Sequence, residues 1–136
     1  METARDVMCT ELVTIRPDAT LAEAAQTLLD NRISGLPVTD SSKFLVGVIS
    51  EFALLALIYN PLSRKQLVQD HMTKHVISIT PDSSLKELAD TFILKRLRRL
   101  PVTENGRLVG MVSRRDLLRA SIEAGEPICR AENIWA

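Results

Sequence analysis

Ser113-Arg-Arg-Asp116 lies between the apolar run Leu108-Val-Gly-Met-Val112 and Leu117-Leu118. A serine followed three residues later by an acid marks a helix start. The hydroxyl accepts a backbone N–H of the first turn, and such a cap is worth about 1 kcal/mol. The same residues carry ligand chemistry. A carboxylate accepts two hydroxyl donors at once. A helix N-terminus, with free N–H groups at the positive end of its dipole, favours anions. Arg114 and Arg115 fall in the first turn, where a cation opposes the dipole. A cap alone gives no reason for two arginines there; a phosphate does. A second segment, Ser50-Glu-Phe-Ala53, has the same surroundings but different chemistry. Glu51 stands for Arg114, Phe52 for Arg115 and Ala53 for Asp116. Ser50 can still cap, but the carboxylate acceptor is gone, and packing is the stronger reading for that copy.

Other chemistry is sparse. No serine or cysteine has a histidine and an acid arranged beside it, and neither a P-loop nor G-x-G-x-x-G occurs, so no catalytic residue is assigned and no enzyme is expected. His71 and His75 are four apart, but Lys74-His75 is expected in a loop and no third ligand is suitably spaced, so no metal site is expected. Lys95-Arg-Leu-Arg-Arg99 is the densest basic cluster. A solvated loop and a phosphate contact both remain open for it. Nucleic acid is disfavoured: Lys+Arg and Asp+Glu balance at 17 each, aromatics are only 4%, and none is interleaved with the basic run.

The elements that position these residues come from a duplication. Displaced by 64, the chain falls on itself: Met8 meets Met72, Pro17-Asp18 meets Pro81-Asp82, Leu21 and Glu23 meet Leu85 and Glu87, and Pro37-Val-Thr39 meets Pro101-Val-Thr103. Past a one-residue-longer turn the displacement is 63, and Gly47, Ser50 and Leu54-Leu55 meet Gly110, Ser113 and Leu117-Leu118. Each copy predicts the same order. Leu12–Arg16 and Val76–Thr80 read as short strands ending at proline. Thr20-Leu-Ala-Glu23 and Ser84-Leu-Lys-Glu87 are capping boxes opening amphipathic helices. Leu36-Pro-Val-Thr39 and Leu100-Pro-Val-Thr103 are second strands; Asn105-Gly106 signals a hairpin turn. Phe44–Ile49 and Leu108–Val112 are third strands, and a last helix starts at Ser50 or Ser113. The fold class is therefore α/β (α+β): two pseudo-symmetric β-α-β-β-α repeats. Each has one naked sheet face, buried by packing the copies sheet to sheet. The division is residues 1–60 as repeat 1, 61–67 as linker, 68–122 as repeat 2 and 123–136 as a C-terminal tail.

With 136 residues, 46% of them hydrophobic and 25% charged, the chain suits a compact globule. Its longest apolar run, Phe52 to Tyr59, is too short to span a bilayer. Residues 1–11 lack the basic-then-apolar layout of a secretory signal, so a cytoplasmic location is expected. In that compartment Cys9 and Cys129 are expected as reduced thiols. The helix Phe52-Ala-Leu-Leu-Ala-Leu-Ile-Tyr59 is apolar on all sides, which requires burial on more than one face. A homodimer with Phe52, Leu55 and Tyr59 near its interface is expected.

The ordered set strand, x-P-D-x-[TS]-L, helix, L-P-V-T, turn, L-V-G, S-x-x-D, present twice, resembles the cystathionine-β-synthase (CBS) domain. Two in tandem resemble a Bateman module, over nearly the whole chain. The resemblance implies a regulatory module that binds an adenosyl ligand in clefts between the repeats and modulates a partner protein. For this chain the implied ligand is AMP, ADP or ATP, with no cofactor required; S-adenosylmethionine and a ligand-free dimerisation module are the alternatives. Ser113, Arg114, Arg115 and Asp116 would take ribose and phosphate. Met8, Thr10, Val13, Ile33, Ser34, Gly35 and Pro37 would form the adenine side, although Met8, Val13 and Ile33 also suit plain core packing. Arg98 and Arg99 would be phosphate contacts in the second cleft. Pairing through the repeat helices into flat dimers is likewise implied.

Overall fold

The computed structural model describes residues 2–122. The expected tail, with Cys129 and Trp135, lies outside the described residues. Within them the chain divides into two compact units: residues 2–12 with 77–122, and Val13–Val76. The compact units are out of phase with the sequence repeats. Each closes with a segment that precedes the other copy along the chain.

In the unit of Val13–Val76, helix α2 (Leu21–Asn31) opens with the anticipated box: Glu23 N–H donates to Thr20 Oγ1 at 3.2 Å, and Thr20 N–H to Glu23 Oε2 at 3.3 Å. Its apolar face buries Leu21, Ala24 and Leu28. The hairpin β1 (Gly35–Thr39) and β2 (Leu45–Ser50) follows, antiparallel, with a register shift between Val38 and Thr39. The other unit repeats this plan. Helix α5 (Leu85–Lys95) is capped by Ser84 Oγ, which accepts from Glu87 N–H at 3.1 Å. Strands β3 (Arg99–Glu104) and β4 (Arg107–Ser113) pair with the same shift, between Val102 and Thr103. Asn105 and Gly106 have φ of 55° and 84°, the conformation that a tight hairpin turn demands and that Asn-Gly supplies cheaply. Helix α6 (Arg114–Ile122) follows directly.

The predicted strands Leu12–Arg16 and Val76–Thr80 are not strands. Each reduces to one parallel bridge, Ile15 with Val38 and Ile79 with Val102. Ile79 N–H donates to Pro101 O at 3.0 Å and Thr103 N–H to Ile79 O at 2.8 Å. The prolines at 17 and 81, which lack an N–H, end the pairing. The opposite edge of each hairpin is covered by a segment that the repeat does not announce. Cys9 and Met111 exchange two backbone bonds of 2.8 and 3.0 Å; Thr73 and Val48 do the same at 2.8 and 3.0 Å. Ahead of these bridges, the short helix α1 (Ala4–Val7) and the 3₁₀ turn Val68–Asp70 clip onto matching loops. Ala4 N–H donates to Ser83 O and Val68 N–H to Ala19 O, both at 2.8 Å. Ala4 and Val7 thereby join Leu88, Phe92, Leu100, Val102 and Val112 in one core.

Two further expectations are corrected. Residues 52–59 do not form one helix: α3 (Glu51–Leu54) ends at Leu55 and α4 (Ala56–Tyr59) restarts after it. Cys9 is disulfide-bonded and buried, so a reduced thiol does not describe it.

Gly110 on β4 faces the exchanged segment. A Cβ added there would lie 2.5 Å from Met8 Sδ and 2.9 Å from its Cγ, and at Gly47 the same Cβ meets Met72 Sδ at 2.6 Å. Gly110→Ala is expected to lower stability by about 1–3 kcal/mol through overpacking. Adding Met8→Ala should return part of that loss, a non-additivity read from urea unfolding midpoints.

Candidate functional site

The site is built at the junction of β4 and α6. Ser113 ends the strand, opposite Arg99 in register, and is 2% exposed. Arg114 N–H donates to Arg98 O at 3.1 Å, which fixes where the strand turns into helix. Asp116 then occupies the third helical position. Its N–H donates to Ser113 Oγ at 3.1 Å, and its Oδ2 accepts from Ser113 N–H at 3.1 Å. This reciprocal pair is a capping box with aspartate in the acid position. Asp116 is only 4% exposed, and a carboxylate so covered requires partners on both oxygens. The second partner is Arg119, whose Nη1 donates to Oδ1 at 3.4 Å from one turn further along.

The helix separates the three basic residues that surround Asp116 in sequence. At about 100° per residue, Arg119 lies some 60° around α6 from Asp116, Arg115 about 100°, and Arg114 about 160°. Arg114 accordingly lines a groove of about 490 Å³ between α5 and α6, with Leu85, Phe92, Ile93 and Leu118. Arg114 and Asp116 do not share a face. The sequence signal for Arg119 is the Asp-x-x-Arg spacing, which puts both side chains on one helix face, whereas the two first-turn arginines are nearer in sequence but further around the helix.

The remaining candidates divide between the units. Met8, half-buried, and Thr10, exposed, belong to the unit that carries Asp116, as do Arg98 and Arg99. Val13, Ile33, Ser34, Gly35 and Pro37 belong to the other unit. There Ile33, Gly35 and Pro37 are buried, and Ile33 at 8% exposure packs among the core residues. The junction corresponding to Ser113 keeps the backbone clip, Glu51 N–H to Ser34 O at 2.9 Å, but Ser50 makes no side-chain cap and Ala53 offers no acceptor. Its helix runs for four residues before the break at Leu55, against nine for α6. Among the described residues no cluster of three or more His, Cys, Asp or Glu side chains could hold a metal, and no helix is long and apolar enough to cross a membrane.

The family model for the CBS domain matches this chain twice, over residues 4–60 and 68–123. The chain belongs to the CBS domain family, as a tandem pair. It is 30% identical over 118 residues to an uncharacterized protein of Methanocaldococcus jannaschii, covering 87% of this chain and 42% of that one. To the inosine-5'-monophosphate dehydrogenase of the same organism it is 32% identical over 117 residues, covering 85% of this chain and 23% of the enzyme. The chain thus spans less than half the length of these two curated relatives. Among solved structures it is similar to CBSX2 of Arabidopsis thaliana, crystallised in complex with AMP: TM-score 0.79, 30% identity, covering 90% of this chain and 97% of that one.

The capping box makes a stability prediction that needs no ligand. Ser113→Ala removes the Oγ acceptor for the Asp116 N–H and is expected to cost about 1 kcal/mol in a urea titration. Ser50→Ala, at a position that makes no side-chain cap, is expected to change stability by less than about 0.5 kcal/mol.

Proposed function

We propose that this CBS pair is a regulatory module that binds an adenine nucleotide (AMP, ADP or ATP) through the unit carrying Asp116 and modulates a partner protein. The observation that carries the reading is the buried Asp116 carboxylate, held at a helix start, where the companion copy has Ala53. A ribose offers two adjacent hydroxyl donors, and a carboxylate accepts both. Phosphate is assigned to the start of α6, with Arg115 as its cation and Met8 and Thr10 toward the base. AMP bound to CBSX2 supports the ligand class. Regulation follows as a population shift, in which the ligand favours the arrangement it binds more tightly.

Titration calorimetry with AMP, ADP, ATP and S-adenosylmethionine tests this. At least one nucleotide is expected to bind below millimolar. Asp116→Ala should weaken it by about tenfold or more, roughly one charge-assisted hydrogen bond, whereas Glu51→Ala should leave it within about twofold. A second reading is favoured by the same carboxylate. Its capping box and Arg119 give Asp116 a complete structural role, as in a module that only binds protein. Absence of binding by all four ligands below millimolar would establish that alternative over ours.

The module is also proposed to act as a homodimer. Phe52 and Tyr59 are 78% and 89% exposed and Leu55 is 47% exposed, three large apolar side chains along eight residues. Apolar surface concentrated in this way marks a contact surface. Light scattering at micromolar concentration is expected to give the mass of two chains, and Phe52→Asp with Tyr59→Asp to give one. A monomer of the unaltered chain at that concentration would sink the dimer.

A further inference from the structure

We propose that Arg119 is a positioning residue that locks the Asp116 carboxylate for a vicinal diol, and so sets the preference for ribose over deoxyribose. The inference rests on the nucleotide reading above and concerns a residue outside the S-x-x-D segment. The terminal torsion of an aspartate is broad and roughly two-fold, so the carboxylate plane is poorly fixed by its own chain. In this protein it is fixed from both ends. Oδ2 accepts from the Ser113 N–H at 3.1 Å and Oδ1 from Arg119 Nη1 at 3.4 Å. A carboxylate has about four acceptor positions, two on each oxygen. One on each is taken, which leaves one on each. Two remaining acceptor positions equal in number the two hydroxyls of a vicinal diol.

The two partners differ in kind. The Ser113 N–H belongs to the backbone of the cap and is present whenever α6 is formed. Arg119 is a side chain, 21% exposed, and its charge is only partly screened by water. Deleting it frees Oδ1 while the cap on Oδ2 persists. A diol requires both oxygens in one plane and would lose affinity to the cost of ordering them again; a single hydroxyl needs only one oxygen and would lose less. Arg119 is therefore separable from the fold of the site in a way that Ser113 is not.

The test is calorimetry with AMP and 2′-deoxy-AMP on the full chain and on Arg119→Met, which keeps an apolar stem, and Arg119→Lys, which keeps the cation. Arg119→Met is expected to weaken AMP about tenfold and 2′-deoxy-AMP less than about threefold, so that the ribose preference collapses. Arg119→Lys is expected to restore most of the preference. An equal loss for both nucleotides would mean that Arg119 meets phosphate or merely supports the helix, and would overturn the proposal. So would an unchanged or tighter AMP affinity, or a lysine variant as unselective as the methionine one. Should Arg119→Met melt below the working temperature, Arg119→Gln takes its place with the same expectation. Failure of the unaltered chain to bind any of AMP, ADP and ATP, or an Asp116→Ala chain that binds equally well, would overturn the nucleotide reading and this inference together; where ADP or ATP binds and AMP does not, the same comparison is made with that nucleotide and its 2′-deoxy form.

Discussion

The structure depends on two borrowed edges. A two-stranded hairpin has unpaired backbone groups along both sides and is marginal alone. In the unit that carries Asp116, β3 is covered on one side by the Ile79 bridge, and β4 on the other by Cys9. Ile79 is local to its repeat. Cys9 comes from the start of the chain, ahead of the other copy. In the other unit Ile15 is local, and Thr73 comes from the segment that follows that copy along the chain. The glycines at 47 and 110 are explained by this. Each stands where Met72 or Met8 crosses the strand, so close that a methyl group has no room. The core depends on the same exchange, since Ala4 and Val7 fill it beside residues of the second copy. A single repeat cut at its sequence boundaries would carry an open edge and an incomplete core, which is a physical reason for the domain to occur as a pair.

On this common frame the two copies diverge at one turn of helix. The strand ends alike in both, with the first helical N–H clipped to a carbonyl across the hairpin, at Arg98 or at Ser34. Beyond that clip, Asp116 closes the capping box and gathers Arg119, and α6 continues for nine residues. Ala53 closes nothing, and the helix stops within one turn before restarting. Orphan N–H groups at a helix start must be satisfied somewhere. A side chain that satisfies them in one copy and is missing in the other separates the chemistry of the copies while leaving their hairpins the same.

Much of this was legible in the residues. The duplication, the helix starts at Thr20 and Ser84, the hairpin at Asn105-Gly106 and the cap at Ser113 are local signals, set by side chains within four residues of one another. What was hidden is non-local. No periodicity in residues 4–9 says that Cys9 pairs with β4. The short β-branched run at Leu12–Arg16, ending at proline, predicts a strand, but only Ile15 pairs, because strand length depends on what lies alongside. The unbroken apolar run from Phe52 suggested one helix, but an apolar pattern does not record whether a first turn is capped. Arg119 is legible from its spacing to Asp116, while of the arginines nearer in sequence Arg114 lines the groove with α5.

The borrowed edge and the candidate site share a strand. Met111 bonds to Cys9, and two residues later Ser113 caps α6 and holds Asp116. A ligand on Asp116 would therefore touch the end of the strand whose edge is closed by the segment leading to the crossing at Leu12–Val13, where the chain passes from one compact unit to the other. Contiguity of this kind is not by itself coupling. Coupling requires two arrangements of the strand end that the ligand binds unequally, and a free-energy difference no larger than its differential affinity for them. The capping box limits what those arrangements are. Its two bonds fix the backbone of Ser113 against Asp116, so the cap moves as one piece with the strand. The Arg119 contact is the freer part, a single longer bond from a partly exposed side chain. A switch at this site would then lie in how the carboxylate is held from the Arg119 side, while the strand, the cap and the borrowed edge move together.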